Sequence, residues 1–301
     1  MAGEGNMANS QVKIGAKIAA TEGKQPSPIV AIATARGPMH FVVVGAGGTG
    51  ARVVPPLTQM MRPGDVLSIL DHDVVEDRNL VRQHFSERDI GSPKALVLAT
   101  RYRKAGMEVN AYQRQVVEGE VQEVGALLST VQPAHCGGTI IIGCVDNAAA
   151  RRGIAGLLGC VSSSRAWIDV GNEMRAGQVL LSLNRWLLRV PGVYQEPQRC
   201  SMNGLALAMP QLLRDEVVPT AGCGVRMDLQ TVQVNHMAAG AAINVVSWLL
   251  MGIPFTSCGS FFSTLNTMQP IRIERVSGGI LFPETTYAVP AVDEAEADDE
   301  A

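Results

Sequence analysis

Polar and charged side chains in the first third of this 301-residue chain offer the clearest chemistry. Arg82 and Lys94 can neutralise phosphates, the arginine through its planar fork and the lysine as a point charge. Asn79 and Gln83 can orient the same groups by hydrogen bonds. Asp73 is a candidate magnesium ligand, because Mg²⁺ prefers hard oxygen donors and substrate phosphates. A triphosphate needs such a set, whereas dinucleotide binding does not.

A glycine-rich loop precedes these residues and separates an apolar run from a helix-like stretch. Glycines let the backbone approach phosphates, whose charge is favoured at a helix N-terminus. Asp71 ends the next apolar run, at the offset typical of an acid that binds ribose hydroxyls. Alone, these features predict a nucleotide fold for NAD or FAD, although glycine turns also serve packing. The candidate nucleotide-binding glycines are Gly45, Gly47, Gly48 and Gly50.

Short apolar runs that read as buried strands alternate with helical segments up to about residue 183. This alternation predicts an α/β fold with a Rossmann-like, mainly parallel sheet and helices on both faces. An apolar helix and two more strands then continue the fold as an antiparallel C-terminal part. The predicted strands are 39–44, 66–70, 108–113, 139–144, 167–170, 178–182, 259–265 and 269–275, and the main helices are 50–61, 93–105, 118–130 and 228–251.

Composition changes along the chain predict five parts. A long connection inside a compact domain is usually functional, which singles out the proline-bearing middle segment. The last nine residues carry six acids and are expected to stay solvated. The predicted parts are a flexible N-terminal segment (1–37), the nucleotide-binding half (38–183), an irregular crossover-type loop (184–222), a helix and strands completing the same domain (223–284), and an acidic disordered tail (285–301).

Composition also bears on partners and location. The formal net charge is −3, and without the acidic tail the rest of the chain carries about +3, which does not favour nucleic acid as a partner. The apolar stretch 237–255 contains polar residues and lacks a flanking Lys/Arg cluster, so we expect a core or dimer-interface helix and no membrane span. The first 30 residues contain no secretory signal, and none of the six cysteines forms a CxxC pair. A reducing cytoplasm is therefore expected.

Five motifs in this order resemble the ThiF/MoeB/ubiquitin-activating superfamily. After the glycine loop come Asp71-His72-Asp73, Asn79-Leu80-Val81-Arg82-Gln83, Gly91-Ser92-Pro93-Lys94, and Cys144-Val145-Asp146-Asn147 with Arg151. The resemblance covers about residues 39–183. It implies that this half binds ATP, with Asp71 on the ribose and the phosphates held by Asn79, Arg82, Gln83 and Lys94. It also implies that Asp146 faces the α-phosphate and helps to hold magnesium; the alternative role for Asp146 is an N-cap of the next helix.

The resemblance also implies a reaction. In this family a carboxylate attacks the α-phosphate of ATP and pyrophosphate leaves. The carboxylate belongs to the C-terminal glycine of a small ubiquitin-like protein. Relatives usually form homodimers, and some supply an N-terminal arginine to the neighbour's ATP, for which Arg36 is the candidate here. The family's structural zinc needs CxxC pairs, so no such site is expected.

A second step would need a cysteine that accepts the acyl group. Such a thiol must be accessible and easily ionised. Cys200 and Cys223 are the two candidates, because both fall in or next to the irregular segment. The surroundings of Cys223 resemble a Ser-Cys motif in plasmid-borne ThiF relatives of the PRTRC type. A protein without a catalytic cysteine is the third possibility.

The sequence is compatible with three other functions. An NAD(P)- or FAD-binding oxidoreductase would perform hydride chemistry and would have no use for Arg82 or Lys94. A non-catalytic adaptor would keep the fold and bind a ubiquitin-like protein without turning over ATP. A third possibility keeps adenylation but acts on a small carboxylate or a tRNA base. His72, between two site aspartates, is expected to point away from them.

Overall fold

In a computed structural model of the chain, helices cover both faces of one mixed sheet. The structure describes residues 31–33, 37–103, 106–159, 164–172, 176–189, 196–214, 232–263 and 266–272. The strands are β1 Ile32–Ala33, β2 Met39–Val44, β3 Val66–Leu70, β4 Glu108–Tyr112, β5 Gly138–Gly143, β6 Arg165–Asn172, β7 Ala176–Arg189, β8 Gln198–Asn203, β9 Ser257–Ser263 and β10 Asn266–Arg272. The helices are α1 Gly50–Met60, α2 Lys94–Tyr102, α3 Val121–Val131, α4 Ala148–Gly159, α5 Gly204–Ala208 and α6 Val232–Met251.

The sheet runs in the order β10-β9-β7-β6-β5-β2-β3-β4. The five strands from β4 to β6 are parallel, whereas β7, β9 and β10 are antiparallel to their neighbours. The predicted α/β fold, with a parallel half and an antiparallel continuation, is confirmed. The chain leaves β2 toward β3 on one side and later returns to β5 on the other. Ligands of open α/β sheets bind at such a switch point, outside the carboxyl ends of the strands.

Alternate residues of the central strands serve two hydrophobic clusters. Phe41 and Val43 of β2 pack with side chains of α1, α2 and α6 on one face. Val42 and Val44 pack with α3, α4 and α5 on the other. All six residues of β2 are buried, which explains why the strand reads as a continuous apolar run. Burial on both faces fixes the register and therefore the point at which each strand ends.

Part of the stretch predicted as an irregular loop, 184–222, forms regular structure instead. β7 continues to Arg189 and pairs with β8, which leads directly into α5. Trp186 and Leu188 supply the buried face of this extension. Two of its prolines misled the prediction because they stand at boundaries: Pro197 precedes β8, and Pro210 begins a short 3₁₀ helix.

The structure also bears on the predicted N-terminal segment and on the apolar helix. Residues 32–33, inside the segment predicted to be flexible, pair with the end of β7 as β1. The predicted acidic tail lies outside the described residues. Among the helices that the structure describes, α6 has the length and composition that could cross a membrane, and half of it is buried in the protein. It packs against α1, β6 and β7, as a core helix does.

Candidate active site

The glycine loop joins β2 to α1 at the carboxyl edge of the sheet. Gly45 has a φ of +90° and donates its backbone N–H to the Leu70 carbonyl at 2.9 Å. A Cβ on Gly45 would lie 2.5 Å from the Cys144 carbonyl oxygen, and a Cβ on Gly50 would lie 1.9 Å from that of Gly45. A Cβ on Gly47 would meet nothing within 4 Å. Two glycines are therefore needed for packing, and Gly47 leaves room for a ligand.

A buried amide network holds the other side of this loop. Asn235 of α6 is fully buried, and its Oδ1 accepts hydrogen bonds from Thr49 Oγ1 at 3.1 Å and from Asn172 Nδ2 at 2.6 Å. Gly48 packs on the same amide, since a Cβ there would lie 2.8 Å from Asn235 Nδ2. The network ties the loop to α6 and to the end of β6. Its members lie far apart in the chain, so no sequence motif reveals it.

Asp71, the predicted ribose ligand, also braces the glycine loop. Its Oδ2 accepts the N–H of Ala46 at 2.5 Å, and its Oδ1 accepts the N–H of Asp73 at 2.8 Å. Burial raises the pKa of Asp71, whereas those two N–H groups and the charge of Lys94 oppose the shift. The carboxylate lines the cavity described below and retains lone pairs for a further donor.

Lys94 and Asp73 form an ion pair at the edge of the cavity. Lys94 Nζ lies 2.7 Å from Asp73 Oδ2, and the lysine side chain is only 6% exposed. The chain after β3 pairs with the residues before α2: Lys94 N–H donates to the Asp73 carbonyl at 3.0 Å. Burial alone would raise the pKa of Asp73, but Lys94, with His72 and Arg78, outweighs it and holds this pKa below its ordinary value. Lys94 is therefore a fixed cation beside the site.

A short 3₁₀ helix, Asp77–Asn79, carries the next predicted residues into place. Asn79 is buried, and its Oδ1 accepts the N–H of Glu76 at 2.9 Å, which caps this turn. Gln83 N–H donates to the Asn79 carbonyl at 2.8 Å. The side-chain Oε1 of Gln83 is buried and has no hydrogen-bond partner among the described residues. Asn79, Arg82 and Gln83 all line the cavity.

Asp146 stands exposed in the turn between β5 and α4. Its alternative role, the cap of α4, is taken by Asn147, whose Oδ1 accepts the N–H of Ala150 at 2.8 Å. Asp146 itself accepts only a 3.3 Å hydrogen bond from Asn147 Nδ2 among the described residues. Its carboxylate is therefore available to a ligand in the cavity.

One cavity of about 590 Å³ gathers these groups at the switch point of the sheet. Gly50, the first residue of α1, supports the loop from behind and does not line it. The other predicted ATP-site residues converge on this volume from five separate segments. Those lining it are Gly45, Gly47, Gly48, Asp71, Asp73, Asn79, Arg82, Gln83, Lys94 and Asp146.

Several lining residues were missed by sequence reasoning. His72 was expected to point away, but its Nε2 lies 3.3 Å from Asp73 Oδ1 and it lines the cavity, because the chain leaves the strand pattern directly after β3. Further ones come from the loop after β4, from the end of β6 and from segments later in the chain, where no motif marks them. They are Arg114, Gln115, Val116, Asn172, Gln178, Met209 and Leu212.

The oxygen donors differ in their fit to a magnesium ion. Ligand atoms of Asp71, His72 and Asp73 lie within 4.8 Å of one another. However, Asp71 already accepts two backbone N–H groups, and Asp73 is bound by the Lys94 ammonium. Asp146 presents an exposed carboxylate without a cationic partner among the described residues. Magnesium with a triphosphate therefore fits Asp146, whereas Asp73 would have to share its carboxylate with Lys94; the magnesium role of Asp73 stays a prediction.

Burial raises the pKa of all four described cysteines, Cys136 among them, so none has the easily ionised thiol of an acyl carrier. Cys200 is buried in β8, and burial raises its pKa to about 11. This contradicts its prediction as an accessible, easily ionised thiol. Burial, with the charge of Asp169, also raises the pKa of Cys144, and burial raises that of Cys258 to about 11. Cys223 and the proposed trans residue Arg36 lie outside the described residues.

Comparisons with known proteins agree with this architecture. A sequence model of the ThiF family matches residues 37–270. The structure of E. coli MccB with ATP is similar, with 18% identity and a TM-score of 0.50 over 79% of this chain and 65% of the MccB chain. This chain thus spans slightly less than two thirds of MccB. E. coli MccB with AMPCPP and MccA matches equally, with 18% identity and a TM-score of 0.50 over 79% and 65% of the two chains.

A shorter match is E. coli TcdA, a tRNA N6-threonylcarbamoyladenosine dehydratase, in complex with ATP. It has 25% identity and a TM-score of 0.32 over 40% of this chain and 45% of TcdA. No curated protein matches the sequence. The MccB likeness, at its low identity, shows a shared fold.

Proposed function

The chain belongs to the ThiF family, and from this premise we propose that it adenylates a carboxylate with ATP and Mg²⁺. The finer form of the proposal takes the C-terminal glycine of a small ubiquitin-like protein as the substrate. One observation carries it: cations, amides and an available carboxylate from separate segments converge on the cavity at the switch point. MccB, which shares the fold, has been solved with ATP and with AMPCPP and MccA.

Different residues would bind different parts of the nucleotide. The glycine loop offers backbone N–H groups and the N-terminus of α1 to the phosphates. Asp71 accepts a ribose hydroxyl, and Lys94 and Arg82 neutralise the phosphate charge. Asp146 would hold the magnesium ion, which supplies charge neutralisation on the phosphate oxygens when bound.

The reaction needs no side-chain nucleophile. A substrate carboxylate oxygen forms a bond to the α-phosphorus, the bond from that phosphorus to the β-bridging oxygen breaks, and pyrophosphate leaves. The protein acts by positioning the two reactants and by neutralising charge that builds on the phosphates. Acyl adenylate and pyrophosphate are the products.

The alternatives fit the site less well. An oxidoreductase needs the loop and Asp71. It gives no role to the buried Lys94 or to the side-chain Oε1 of Gln83, which is buried without a hydrogen-bond partner among the described residues. A non-catalytic adaptor would not need the full polar set that lines the cavity. Adenylation of a small carboxylate or a tRNA base uses the same nucleotide site and differs only in the acceptor.

ATP–pyrophosphate exchange tests the proposal. Purified protein is mixed with labelled pyrophosphate and candidate β-grasp proteins that end in glycine, or with small carboxylates. We expect exchange with one class of acceptor, and its loss in Asp146→Ala. Asp77→Ala removes an exposed carboxylate of the same region that does not line the cavity and should keep full exchange. Absence of exchange with every carboxylate, together with tight NAD binding, contradicts adenylation.

A covalent second step and the assembly are further parts of the proposal. If an acyl thioester forms, Cys223 is the proposed carrier, because Cys200 is buried. A reductant-sensitive adduct should then persist in Cys200→Ala and disappear in Cys223→Ala; the reverse would rule out Cys223.

We also propose a cytoplasmic homodimer in which Arg36 reaches the neighbour's ATP. Sedimentation would test the dimer. Mixed dimers of Arg36→Ala with Asp146→Ala would test whether Arg36 of one protomer acts in the ATP site of the other.

A further inference from the structure

A buried ion pair lies directly behind the turn that carries Asp146. Arg151 of α4 donates from Nε to Asp169 Oδ1 at 3.1 Å and from Nη2 to the Val145 carbonyl at 3.1 Å. The side chains of Arg151 and Asp169 are 7% and 1% exposed. One guanidinium thus connects the middle of β6 to the residue that precedes Asp146.

The turn is also held at both of its ends. Cys144 N–H donates to the Val44 carbonyl at 2.8 Å, which anchors the turn to β2. Asn147 caps α4 through Ala150. Between these anchors, Arg151 of α4 holds the Val145 peptide through its hydrogen bond to the Val145 carbonyl. Asp146 follows directly, so the direction of its carboxylate depends on this contact.

Asp169 is an unusual residue for its place. It lies in an apolar strand, beside Gly143 of β5 and Leu180 of β7. Its Oδ2 is buried and has no hydrogen-bond partner among the described residues. Burial raises the pKa of Asp169 although Arg151 opposes the shift, so ionised Asp169 costs the folded state stability. Well-packed apolar residues often replace a buried ion pair without loss of stability, so packing alone does not explain the pair.

The strand that carries Asp169 also makes space for the same guanidinium. A Cβ on Gly171 of β6 would lie 3.2 Å from Arg151 Nη2 and 2.0 Å from Gln178 Nε2. Arg151, Gly171 and Gln178 all line the cavity. Arg151 therefore forms part of the cavity wall, next to the antiparallel half of the sheet, and Asp169 holds it from behind that wall.

We propose that Asp169 is a positioning residue of this site: it holds Arg151 against the Val145 carbonyl and so aims Asp146 into the cavity. The inference rests on the proposed function, because in that function Asp146 binds the magnesium ion of a bound triphosphate. It adds a residue that none of the five sequence motifs contains.

A double-mutant cycle on nucleotide affinity tests the proposal. MgATP, and ATP with EDTA, are titrated into wild type, Asp169→Asn, Asp146→Ala and the double variant. We expect Asp169→Asn to weaken MgATP binding about tenfold and ATP–EDTA binding less than about twofold, with no further loss in the Asp146→Ala background. A full loss in that background, or an equal loss with EDTA, overturns the proposal. Should Asp169→Asn fail to fold, Arg151→Lys tests the same link, because lysine keeps the charge but cannot bridge both partners.

A matched control separates positioning from general loosening. Asp65 is another buried carboxylate that accepts two backbone N–H groups, those of Met39 and Arg62, at the opposite edge of the sheet. Asp65→Asn should leave MgATP affinity unchanged. A loss equal to that of Asp169→Asn would show that both act through the fold, which contradicts the proposal.

Hydrogen exchange distinguishes failure of this inference from failure of the proposed function. If wild type binds no MgATP, the proposed function fails, and the link from Asp169 to the turn is read from amide exchange at 144–151. Faster exchange there by about tenfold in Asp169→Asn, but not in Asp65→Asn, supports the link. Unchanged protection overturns it.

Discussion

At the scale of single residues, the aspartates around the cavity differ in what holds their carboxylates. Asp71 is bound by backbone N–H groups, Asp73 by an ammonium, and Asp169 by a guanidinium. Asp146 alone of these four is exposed without a cationic partner among the described residues. The same side chain thus serves as a brace, an ion-pair member, a support and a ligand, because its surroundings differ. Residue type alone does not reveal which role each one takes.

Lys94 should discriminate between nucleotides by charge. In Lys94→Met we expect ATP affinity to fall about tenfold to a hundredfold, since a charged hydrogen bond contributes about 1.5–3 kcal/mol. AMP affinity should change less than about threefold, because its single phosphate is expected to sit nearer the glycine loop. Calorimetric titration with both nucleotides measures the difference. Lys94→Arg, which keeps the charge, should retain more affinity; equal losses for ATP and AMP would contradict the assigned role.

At the scale of elements, the sequence predicted the central strands well because their residues are buried on both faces. The apolar runs at 39–44 and 66–70 match β2 and β3 in full. A strand at 178–182 was predicted within β7, but the extension of β7 past residue 183 and β8 were missed, because Pro197 and Pro210 fall at element ends and imitate a loop. Motif residues were recognisable because they lie close together in sequence. Asn172 and Gln178 were not, because only the folded sheet brings them to the site.

The glycine loop permits a test with an internal comparison. Gly47→Ala should keep the stability of the protein, because no atom lies within 4 Å of the new Cβ, and should weaken ATP binding by blocking phosphate approach. Gly45→Ala should destabilise the fold, given its φ of +90° and the contact with Cys144. Thermal melts and ATP titrations measure both. Gly119→Ala, equally open and outside the cavity, should change neither; a Gly47→Ala protein with normal ATP affinity would place the phosphates elsewhere.

A buried histidine in β2 should make stability depend on pH. His40 Nε2 lies 2.8 Å from Ser68 Oγ, and burial, aided by the charge of Arg165, lowers the pKa of His40 from 6.5 to about 4. As pH falls below 6.5 the unfolded chain takes up this proton before the folded one does. The free energy of unfolding should therefore fall by about 3 kcal/mol as the pH drops toward 4.

Urea titrations across this pH range check the effect. His40→Gln, which cannot titrate, should show a flatter dependence between pH 6.5 and 4. An unchanged slope in that variant would mean that other groups, among them Asp71 and Asp73, account for the pH dependence.

At the scale of the whole molecule, the fold class followed from the alternation of strands and helices, and the location of the site from the switch point. The sequence predicted an antiparallel continuation but not how its strands pair, since β7 links β1, β6, β8 and β9 through long-range pairing. Pairing of distant strands leaves no local pattern beyond apolar alternation. The contribution of that half to the cavity wall was therefore invisible before the structure.

The apolar helix α6 should behave as a core element of a folded protein. Ala242 is fully buried, so Ala242→Lys should cost at least about 3 kcal/mol of stability by burying an unpaired charge. Asn244, two residues further, is exposed, and Asn244→Lys should be tolerated. Chemical denaturation of the two variants measures the contrast. An equal loss of stability in both lysine variants would be the result expected of a helix surrounded by lipid.

Equilibrium binding of ATP against NAD tests the central claim most directly. The claim is that the cavity at the switch point holds a magnesium-bound triphosphate. We predict saturable binding of ATP to one site per chain, tightened by Mg²⁺ in wild type but not in Asp146→Ala, and no saturable binding of NAD at the same concentrations. Tighter binding of NAD than of ATP, or ATP affinity indifferent to both Mg²⁺ and Asp146, would contradict it.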